Sequence, residues 1–146
     1  MEELARLLRP YRAYVTYTPL KTEVDASRFV RLTDAMSYAI APRASLDPAT
    51  EALAALSTIG SLPAAILIPG RRFDESGTRH GQGGGWYDRF LARVPDSWLR
   101  VGFCFNDQFS PAPLTRNVWD QPMDYVCVVD RASGALTLYG SGRLGA

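Results

Sequence analysis

The sequence contains few of the residues on which metal sites and disulfide frameworks depend. It has a single histidine, His80, and two cysteines, Cys104 and Cys127. A structural metal site needs more nitrogen and sulfur ligands at a workable spacing than these residues supply. Both cysteines lie in apolar, strand-like runs, and we predict that they are buried free thiols.

The chain also lacks a strong net charge and a long apolar run. Its formal net charge is +1, and Lys21 is the only lysine among its sixteen basic residues. No overall field therefore attracts nucleic acid or acidic lipid. Residues 1–4 include two glutamates and no apolar signal segment, and no run is long enough to span a bilayer. We expect a cytoplasmic protein that binds neither nucleic acid nor a membrane.

Length and composition indicate one globular domain. The chain has 146 residues, of which 47% are apolar. A chain of this size buries roughly two-thirds of its unfolded surface, which is enough for a core without disulfides. We predict a single domain over residues 1–146, with 140–146 as a loose tail.

Apolar periodicity and capping residues predict alternating helices and strands. The predicted helices cover residues 2–9, 26–32, 48–56 and 86–93, the second capped by Asp25 and the third by Asp47. The predicted strands cover residues 13–17, 64–68, 100–105, 125–129 and 135–139, and residues 37–42 fit a short extended piece. This alternation predicts an α/β fold of the three-layer α/β/α kind, with a mostly parallel sheet between two layers of helices.

The most informative segment is the glycine-rich stretch at residues 73–89. It reads FDESGTRHGQGGGWYDR, follows the apolar run at 64–68 and leads into a predicted helix. Strand, glycine-rich loop and helix start form the anion sites of many parallel α/β proteins. Glycine lets a ligand approach the backbone, and the free N–H groups favour phosphate. The segment therefore predicts a site for a nucleotide or another phosphorylated ligand.

The loop does not match the two best-known phosphate motifs. A P-loop ends in glycine, lysine and serine or threonine, whereas Trp86 follows Gly85 here. A dinucleotide fingerprint needs a third glycine three positions after the second, and that position is again Trp86. The simpler alternative is a surface loop that is rich in glycine for flexibility.

The order of residues around the loop resembles that of the 5-formyltetrahydrofolate cyclo-ligase family, also called the methenyltetrahydrofolate synthetases. That family carries a proline-glycine pair after a buried strand, then a phenylalanine-aspartate pair, a glycine, an arginine, a glycine-rich turn, two aromatics and an aspartate. The corresponding residues here are Pro69-Gly70, Phe73-Asp74, Gly77, Arg79, 81–85, Trp86-Tyr87 and Asp88. Further blocks of the family resemble residues 17–25, 101–108 and 120–129, so the resemblance covers most of residues 4–130.

Several features depart from the family pattern. Its members begin with a helix whose lysine and arginine hold ATP, and this sequence is expected to start after that helix. The segment at 31–63 is shorter than the strand-rich segment of relatives, and Asn117 and Trp119 stand where relatives usually carry glutamate and histidine. Gln82 stands at a loop position that is often basic, and an uncharged amide there predicts weaker phosphate binding.

The resemblance implies a ligand for each part of the candidate site. For ATP and its phosphates it implies Arg79, Gly81, Gln82, Gly83, Gly84, Gly85 and Tyr87. For the reduced folate substrate it implies Glu23, Gln82 and Trp86. For Mg²⁺ it implies Asp88 together with Asp120, since that ion prefers hard oxygen ligands.

Each of these side chains also has a plainer interpretation. Arg79 fits a solvated loop arginine, Trp86 a core aromatic and Asp88 a carboxylate that stabilises a helix start. Glu23 fits a surface turn equally well. His80 is given no catalytic role, because no nucleophile motif accompanies it.

The resemblance also implies a reaction. In the family, ATP phosphorylates the formyl oxygen of 5-formyltetrahydrofolate, a second folate nitrogen attacks the same carbon, and phosphate leaves as the methenyl ring closes. The first hypothesis is therefore an ATP- and Mg²⁺-dependent cyclo-ligase. The second is a shortened relative that binds a nucleotide, a folate or another phosphorylated ligand without turnover. The third is a structural or partner-binding protein with a relic loop.

Overall fold

The structure is a computed structural model that describes residues 2–32, 35–40, 46–81 and 83–143. In chain order its strands are β1 Ala13–Tyr17, β2 Met36–Ile40, β3 Ala64–Pro69, β4 Arg72–Asp74, β5 Arg79–His80, β6 Leu99–Phe105, β7 Phe109–Ser110, β8 Tyr125–Val129 and β9 Leu136–Gly140. Its α-helices are α1 Glu2–Leu8, α2 Pro48–Ile59 and α3 Trp86–Leu91.

Six of these strands form the main sheet, in the order β2-β1-β3-β6-β8-β9. Neighbouring strands run parallel except for the final pair, in which β8 and β9 are antiparallel. Every residue of β3 is buried, as expected for a central parallel strand that is covered on both faces. The mostly parallel sheet that the sequence predicts is confirmed.

Alternate side chains of the strands enter two separate cores. Ala64, Ile66 and Ile68 pack on the side of the sheet that holds α2 and α3. Ala65 and Leu67 pack on the opposite side, with residues of α1. Helices therefore cover both faces of the sheet, which confirms the predicted three-layer α/β/α arrangement.

Helix α2 has the start that its sequence predicts and a later end. The Asp47 carboxylate accepts hydrogen bonds from the Thr50 backbone N–H at 3.0 Å and from the Thr50 hydroxyl at 2.8 Å. The helix passes the predicted end at residue 56 and continues to Ile59, because Ala55 and Ile59 are buried against the sheet. Helix α3 is shorter than predicted and ends at Leu91 rather than at residue 93.

The predicted helix over residues 26–32 is wrong. The structure has a single 3-10 turn there, Ala26–Arg28, although Asp25 caps it as predicted by accepting from the Ser27 N–H at 3.1 Å. The segment is rich in residues with weak helix propensity, including Ser27 and the β-branched Val30. The extended piece predicted at 37–42 overlaps strand β2, Met36–Ile40, and residues 41 and 42 lie outside the described residues.

A second sheet, which the sequence analysis does not predict, extends past the carboxyl ends of β3 and β6. In it β4 lies between β5, which is antiparallel to it, and β7, which is parallel. Gly77, with a φ of +85°, forms the turn between β4 and β5, and a Cβ there would lie 2.4 Å from the Met123 carbonyl oxygen. Strands β5 and β7 have two residues each, too few to produce an apolar periodicity.

Both cysteines are buried free thiols, as predicted. Burial raises the pKa of Cys104 and of Cys127 to about 12, so both thiols are uncharged at neutral pH. None of the helices in the described part of the chain is long and apolar enough to cross a membrane.

The segment predicted to be a loose tail makes defined contacts in its described part. Gly140 ends β9, and the Ser141 hydroxyl donates to the Met123 carbonyl at 2.7 Å. The Arg143 guanidinium pairs with the Asp124 carboxylate at 2.8 Å. Residues 144–146 lie outside the described residues.

Candidate functional site

The candidate site lies between β1 and β3, where the order in which the chain adds strands to the sheet changes direction. The chain passes from β1 to β2 on one side of β1, whereas β3, on the other side, leads away to β6. Loops that diverge in this way open a crevice at the carboxyl ends of the strands, which is where open α/β sheets bind ligands. A cavity of about 570 Å³ fills this crevice, a size typical of small-molecule sites.

Most residues that the sequence predicts for ligand binding line this one cavity. They are Glu23, Arg79, Gly81, Gly83, Gly85, Trp86, Tyr87, Asp88 and Asp120. Gly84 belongs to the same loop but is not among the lining residues, and Gln82 lies outside the described residues. The fold thus brings together residues as far apart in the sequence as Glu23 and Asp120.

The glycine loop has a backbone that other residues adopt poorly. Gly83, Gly84 and Gly85 have φ angles of +93°, +76° and +64°, and Gly85 is the residue that precedes α3. A Cβ on Gly83 or Gly84 would meet nothing within 4 Å, so these two positions need glycine for backbone conformation rather than for space. The loop therefore presents open backbone to the cavity.

Arg79 is a fixed cation whose two terminal nitrogens face the loop. Its Nε donates to the Pro69 carbonyl at 2.5 Å, and its guanidinium lies over the Tyr87 ring, 4.7 Å from the ring centre. A Cβ on Gly81 would lie 2.8 Å from Arg79 Nη1, so glycine is what lets the guanidinium lie against the loop. Among the described residues neither terminal nitrogen has a hydrogen-bond partner and no carboxylate pairs with it.

Tyr87 places an unsatisfied hydroxyl beside Arg79. Its hydroxyl oxygen is buried and has no hydrogen-bond partner within the described part of the chain. Burial raises the pKa of Tyr87, the charge of Arg79 opposes that shift, and Glu23 adds to it. The group is therefore a neutral hydroxyl, and a buried hydroxyl without a partner is one that a ligand atom can satisfy.

One of the two carboxylate oxygens of Glu23 accepts a hydrogen bond from within the protein. The residue is 9% exposed, and its Oε1 accepts from the Leu20 backbone N–H at 2.8 Å. No hydrogen bond to its Oε2 is found among residues 2–32, 35–40, 46–81 and 83–143. The second oxygen is the one available to a ligand.

Trp86 belongs both to the cavity wall and to the core. Its indole N–H donates to the Leu46 carbonyl at 2.9 Å, and its ring stacks on Phe90 with centres 5.4 Å apart. It also meets the edge of Tyr87 at 5.1 Å. The two interpretations of Trp86 that the sequence leaves open are compatible, since one side of the ring packs inward while the residue lines the cavity.

Asp88 and Asp120 approach each other from different parts of the chain. Asp88 Oδ1 accepts from the Gln121 backbone N–H at 2.9 Å, and Asp120 Oδ2 accepts from the Asn117 N–H at 2.7 Å. Burial raises the pKa of Asp88, and the negative charge of Asp120 raises it further. Each carboxylate keeps a second oxygen for which no hydrogen-bond partner is found among the described residues.

A buried arginine fixes the segment that carries Asp120. Arg100 is 1% exposed, and its Nη1 donates to the Gln121 side-chain oxygen at 3.0 Å and to the Pro122 carbonyl at 3.3 Å. Its backbone N–H donates to Asp124 Oδ2 at 2.8 Å. Strand β6, which carries Arg100, thereby sets the position of the chain next to Asp88.

The outer wall of the cavity consists of residues 70–81 and 109–121, which we call the rim. Hydrogen bonds join its two segments to each other. The buried Asp74 accepts from the backbone N–H groups of Thr78 at 2.9 Å and of Leu114 at 2.8 Å. Arg116 donates to the Thr78 hydroxyl at 2.9 Å. The His80 Nε2 donates to the Thr115 carbonyl at 2.7 Å, which gives His80 a structural contact in the rim.

Several lining residues were not predicted from the sequence as site residues. They are Leu20, Ile40, Pro69, His80, Thr115, Asn117 and Trp119. Asn117 and Trp119 differ from the family pattern next to the predicted Asp120, and that difference is the one sequence signal that points to them. The path of the rim, which brings His80 and Thr115 to the cavity, depends on hydrogen bonds between residues far apart in the chain.

Fold and cavity define an open, mostly parallel α/β protein with its candidate site at the switch point of the sheet. The fold is similar to two solved structures, of the 5,10-methenyltetrahydrofolate synthetases of Mycoplasma pneumoniae and Aquifex aeolicus. Each has a TM-score of 0.57 and 21% identity. The two alignments cover 87% and 96% of this chain, and 79% and 80% of the other chains, respectively.

Comparison of the sequence with protein-family models identifies the family to which the chain belongs. Residues 5–129 match the model of the 5-formyltetrahydrofolate cyclo-ligase family, and the chain belongs to that family. A protein of Mycoplasma genitalium named 5-formyltetrahydrofolate cyclo-ligase is 31% identical over 61 residues. That segment is 42% of this chain and 36% of the relative, so the chain matches little more than a third of the relative's length.

Proposed function

We propose that this protein is an ATP- and Mg²⁺-dependent cyclo-ligase that converts 5-formyltetrahydrofolate to 5,10-methenyltetrahydrofolate. One observation carries the proposal. An arginine with two available nitrogens, an open glycine loop, a pair of carboxylates and an aromatic wall converge on one cavity at the switch point of the sheet. Membership of the family makes a reduced folate the expected substrate.

The glycine loop and Arg79 have the donors that a phosphate chain requires. Arg79 offers two terminal nitrogens in a fixed fork, which suits phosphate oxygens better than a point charge does. Gly83, Gly85 and Gly81 line the cavity without side chains, so phosphate can approach their backbone. The unsatisfied Tyr87 hydroxyl supplies one further donor beside them.

Asp88 and Asp120 fit a magnesium ion that is shared with phosphate. Mg²⁺ is usually bound in such sites by one or two carboxylates, with waters and phosphate oxygens completing its shell. No group of three or more metal-ligating side chains occurs among the described residues, so a cage made only of protein is not what the site offers. Two carboxylates with one available oxygen each match the shared arrangement.

The remaining walls fit a flat ring with polar edges. Leu20, Ile40 and Trp86 give the cavity apolar surface, and Glu23 offers its second carboxylate oxygen. A reduced pterin presents N–H groups that a carboxylate can accept and a face that packs on apolar side chains. Glu23 and Trp86 are accordingly proposed to hold the folate, as the family resemblance implies.

The chain contributes position and charge rather than a nucleophile. When bound, ATP supplies the phosphoryl group that activates the formyl oxygen, and Mg²⁺ offsets the charge of the phosphate oxygens. Arg79 adds positive charge where negative charge develops on the phosphoryl oxygens. Glu23 orients the folate so that its second nitrogen faces the activated carbon. The cavity walls limit the access of water, which would otherwise compete with that nitrogen.

Turnover tests the proposal directly. Purified protein is given 5-formyltetrahydrofolate, ATP and Mg²⁺, and formation of the methenyl product is followed by its absorbance. We expect product from the wild type and a loss of about a hundredfold or more in Asp88→Asn, since an ion held by fewer ligands stabilises the transition state less. Glu75→Gln removes an exposed carboxylate that does not line the cavity, and it should keep full activity.

Two results contradict the proposal. Folded wild-type protein that forms no product excludes the ligase activity for this chain. Product formation that is equal in wild type and Asp88→Asn excludes the assigned role of Asp88.

The second candidate is a relative that binds a nucleotide or a folate without turnover. It is favoured by the modest positive charge of the cavity, since Arg79 is the only lysine or arginine that lines it in the described part of the chain. This candidate predicts that a ligand raises the melting temperature while no methenyl product forms. A melting temperature that no folate or nucleotide changes excludes it.

A further inference from the structure

Trp119 is an exposed indole inside the candidate site. It is 64% exposed, although tryptophan is highly buried on average, and it lines the cavity. No hydrogen bond or ring contact of Trp119 occurs among the residues that the structure describes. Trp86 is different, because its N–H is bonded to Leu46 and its ring is stacked on Phe90.

Trp119 lies in a turn that two hydrogen bonds between Asn117 and Asp120 close. The Asp120 N–H donates to the Asn117 carbonyl at 3.1 Å, and the Asn117 N–H donates to the Asp120 carboxylate at 2.7 Å. Val118 and Trp119 are the central residues of this turn. The indole is therefore presented by a constrained turn, which lowers the entropy lost when a ligand orders it.

We propose that Trp119 stacks on the flat heteroaromatic ring of the ligand and thereby sets the preference of the site for ring-bearing ligands. The inference rests on the proposed function, which supplies two such rings, the adenine base of the nucleotide and the pterin of the folate. Asp120, the next residue, also lines the cavity, so the stacked ring lies close to the proposed metal and phosphate site. A largely exposed indole that lines the cavity is a side chain well suited to such a contact.

Comparing the affinities of ligands with and without a ring distinguishes stacking on Trp119 from a general effect of the turn on binding. Dissociation constants are measured by calorimetry for a non-hydrolysable ATP analogue with Mg²⁺, for tripolyphosphate with Mg²⁺ and for 5-formyltetrahydrofolate. The variants are Trp119→Ala and Trp119→Phe, with Val118→Ala as the control. Val118 is 97% exposed on the same turn and does not line the cavity.

We expect Trp119→Ala to weaken binding of one ring-bearing ligand by about fivefold to a hundredfold, the range that one stacked base contributes. Trp119→Phe should recover most of that loss, and Val118→Ala should leave all three constants unchanged. Tripolyphosphate affinity should not depend on residue 119, because this ligand has no ring. A loss confined to the ATP analogue identifies the base as the stacked ring, and a loss confined to the folate identifies the pterin.

Three results overturn the inference. If Trp119→Ala binds both ring-bearing ligands like the wild type, stacking is excluded while the proposed function stands. If it weakens tripolyphosphate as strongly as the ATP analogue, Trp119 acts through the turn rather than on a ring. If the wild type binds neither ring-bearing ligand, the proposed function fails and this inference fails with it.

Discussion

The main sheet and the rim are stabilised by different kinds of interaction. In the sheet, apolar side chains such as Ile66 and Phe103 are fully buried between helices, and hydrophobic burial is the main stabilising term. In the rim, the buried Asp74 and Thr78 are held by hydrogen bonds that join segments about forty positions apart in the chain. Apolar packing tolerates many exchanges of similar volume, whereas a buried polar network depends on each partner.

The candidate site needs both regions. Asp88 lies on α3, which packs in the apolar core, while Asp120 lies in the rim. The Asp88 carboxylate accepts from the backbone N–H of Gln121, the rim residue next to Asp120, so the rim and α3 are joined at this point. A change that detaches the rim should therefore affect ligand binding even when the sheet stays folded.

The largest expected effect on stability is at Phe73, a rim residue whose ring packs against strand β6 of the main sheet. Its ring is fully buried, and a Cβ on Gly102 of β6 would lie only 2.3 Å from it. We expect Phe73→Ala to lower the free energy of unfolding by about 4 kcal/mol in urea titrations, since it leaves a large cavity. Leu53→Ala, at a position that is 68% exposed, should change it by less than about 0.5 kcal/mol. A loss below about 1 kcal/mol for Phe73→Ala would contradict this account of Phe73.

A smaller effect is expected at Asp74, the polar centre of the rim. Asp74→Asn places an amide N–H₂ against backbone donors, and we expect a loss of about 2 kcal/mol at neutral pH. Burial alone raises the pKa of Asp74, but the hydrogen bonds from Leu114, Ser76 and Thr78 outweigh it and lower the pKa. The stabilisation is thus present above the unfolded pKa of 3.8 and is lost as pH falls through the folded pKa.

Thermal unfolding of Asp74→Asn and wild type across pH 2–7 checks this prediction. The difference in melting temperature should be constant above about pH 5 and should shrink in acid. A difference that does not change with pH would show that the charge of Asp74 contributes nothing to the rim.

The smallest effect, of opposite sign, is expected at Asp88. Its pKa is raised by burial and by Asp120, so its protonated form is favoured in the folded state. The resulting stabilisation is present below the unfolded pKa of 3.8 and is lost as pH rises through the folded pKa. Without ligand, Asp88→Asn should therefore melt at a slightly higher temperature than the wild type at pH 7 and at the same temperature in acid. A lower melting temperature at pH 7 would contradict the direction of the shift.

The sequence predicts the main sheet well and the rim poorly, for physical reasons. Central parallel strands are buried on both faces, so residues 64–68, 101–105 and 125–129 appear as continuous apolar runs. Strands β5 and β7 have two residues each and leave no such pattern. The contact of Asp74 with Leu114 joins two loops, and local sequence carries no signal of that pairing.

The residues of the candidate site likewise differ in how well the sequence predicts them. Family motifs indicate Glu23, Arg79, Asp88 and Asp120, and the structure brings these four to one cavity. Trp119 stands out in the sequence only as a departure from the family pattern, because its place in the cavity depends on the turn that carries it.

A double-mutant cycle at Asp88 and Asp120 tests most directly whether the two regions share one ion. The Mg²⁺-dependent affinity for a non-hydrolysable ATP analogue is measured in wild type, Asp88→Asn, Asp120→Asn and the double variant. If both carboxylates hold the same ion, each single change should weaken binding at least about tenfold, and the double change should weaken it little further. Losses that multiply in the double variant would show that the two carboxylates act independently and would contradict the shared site.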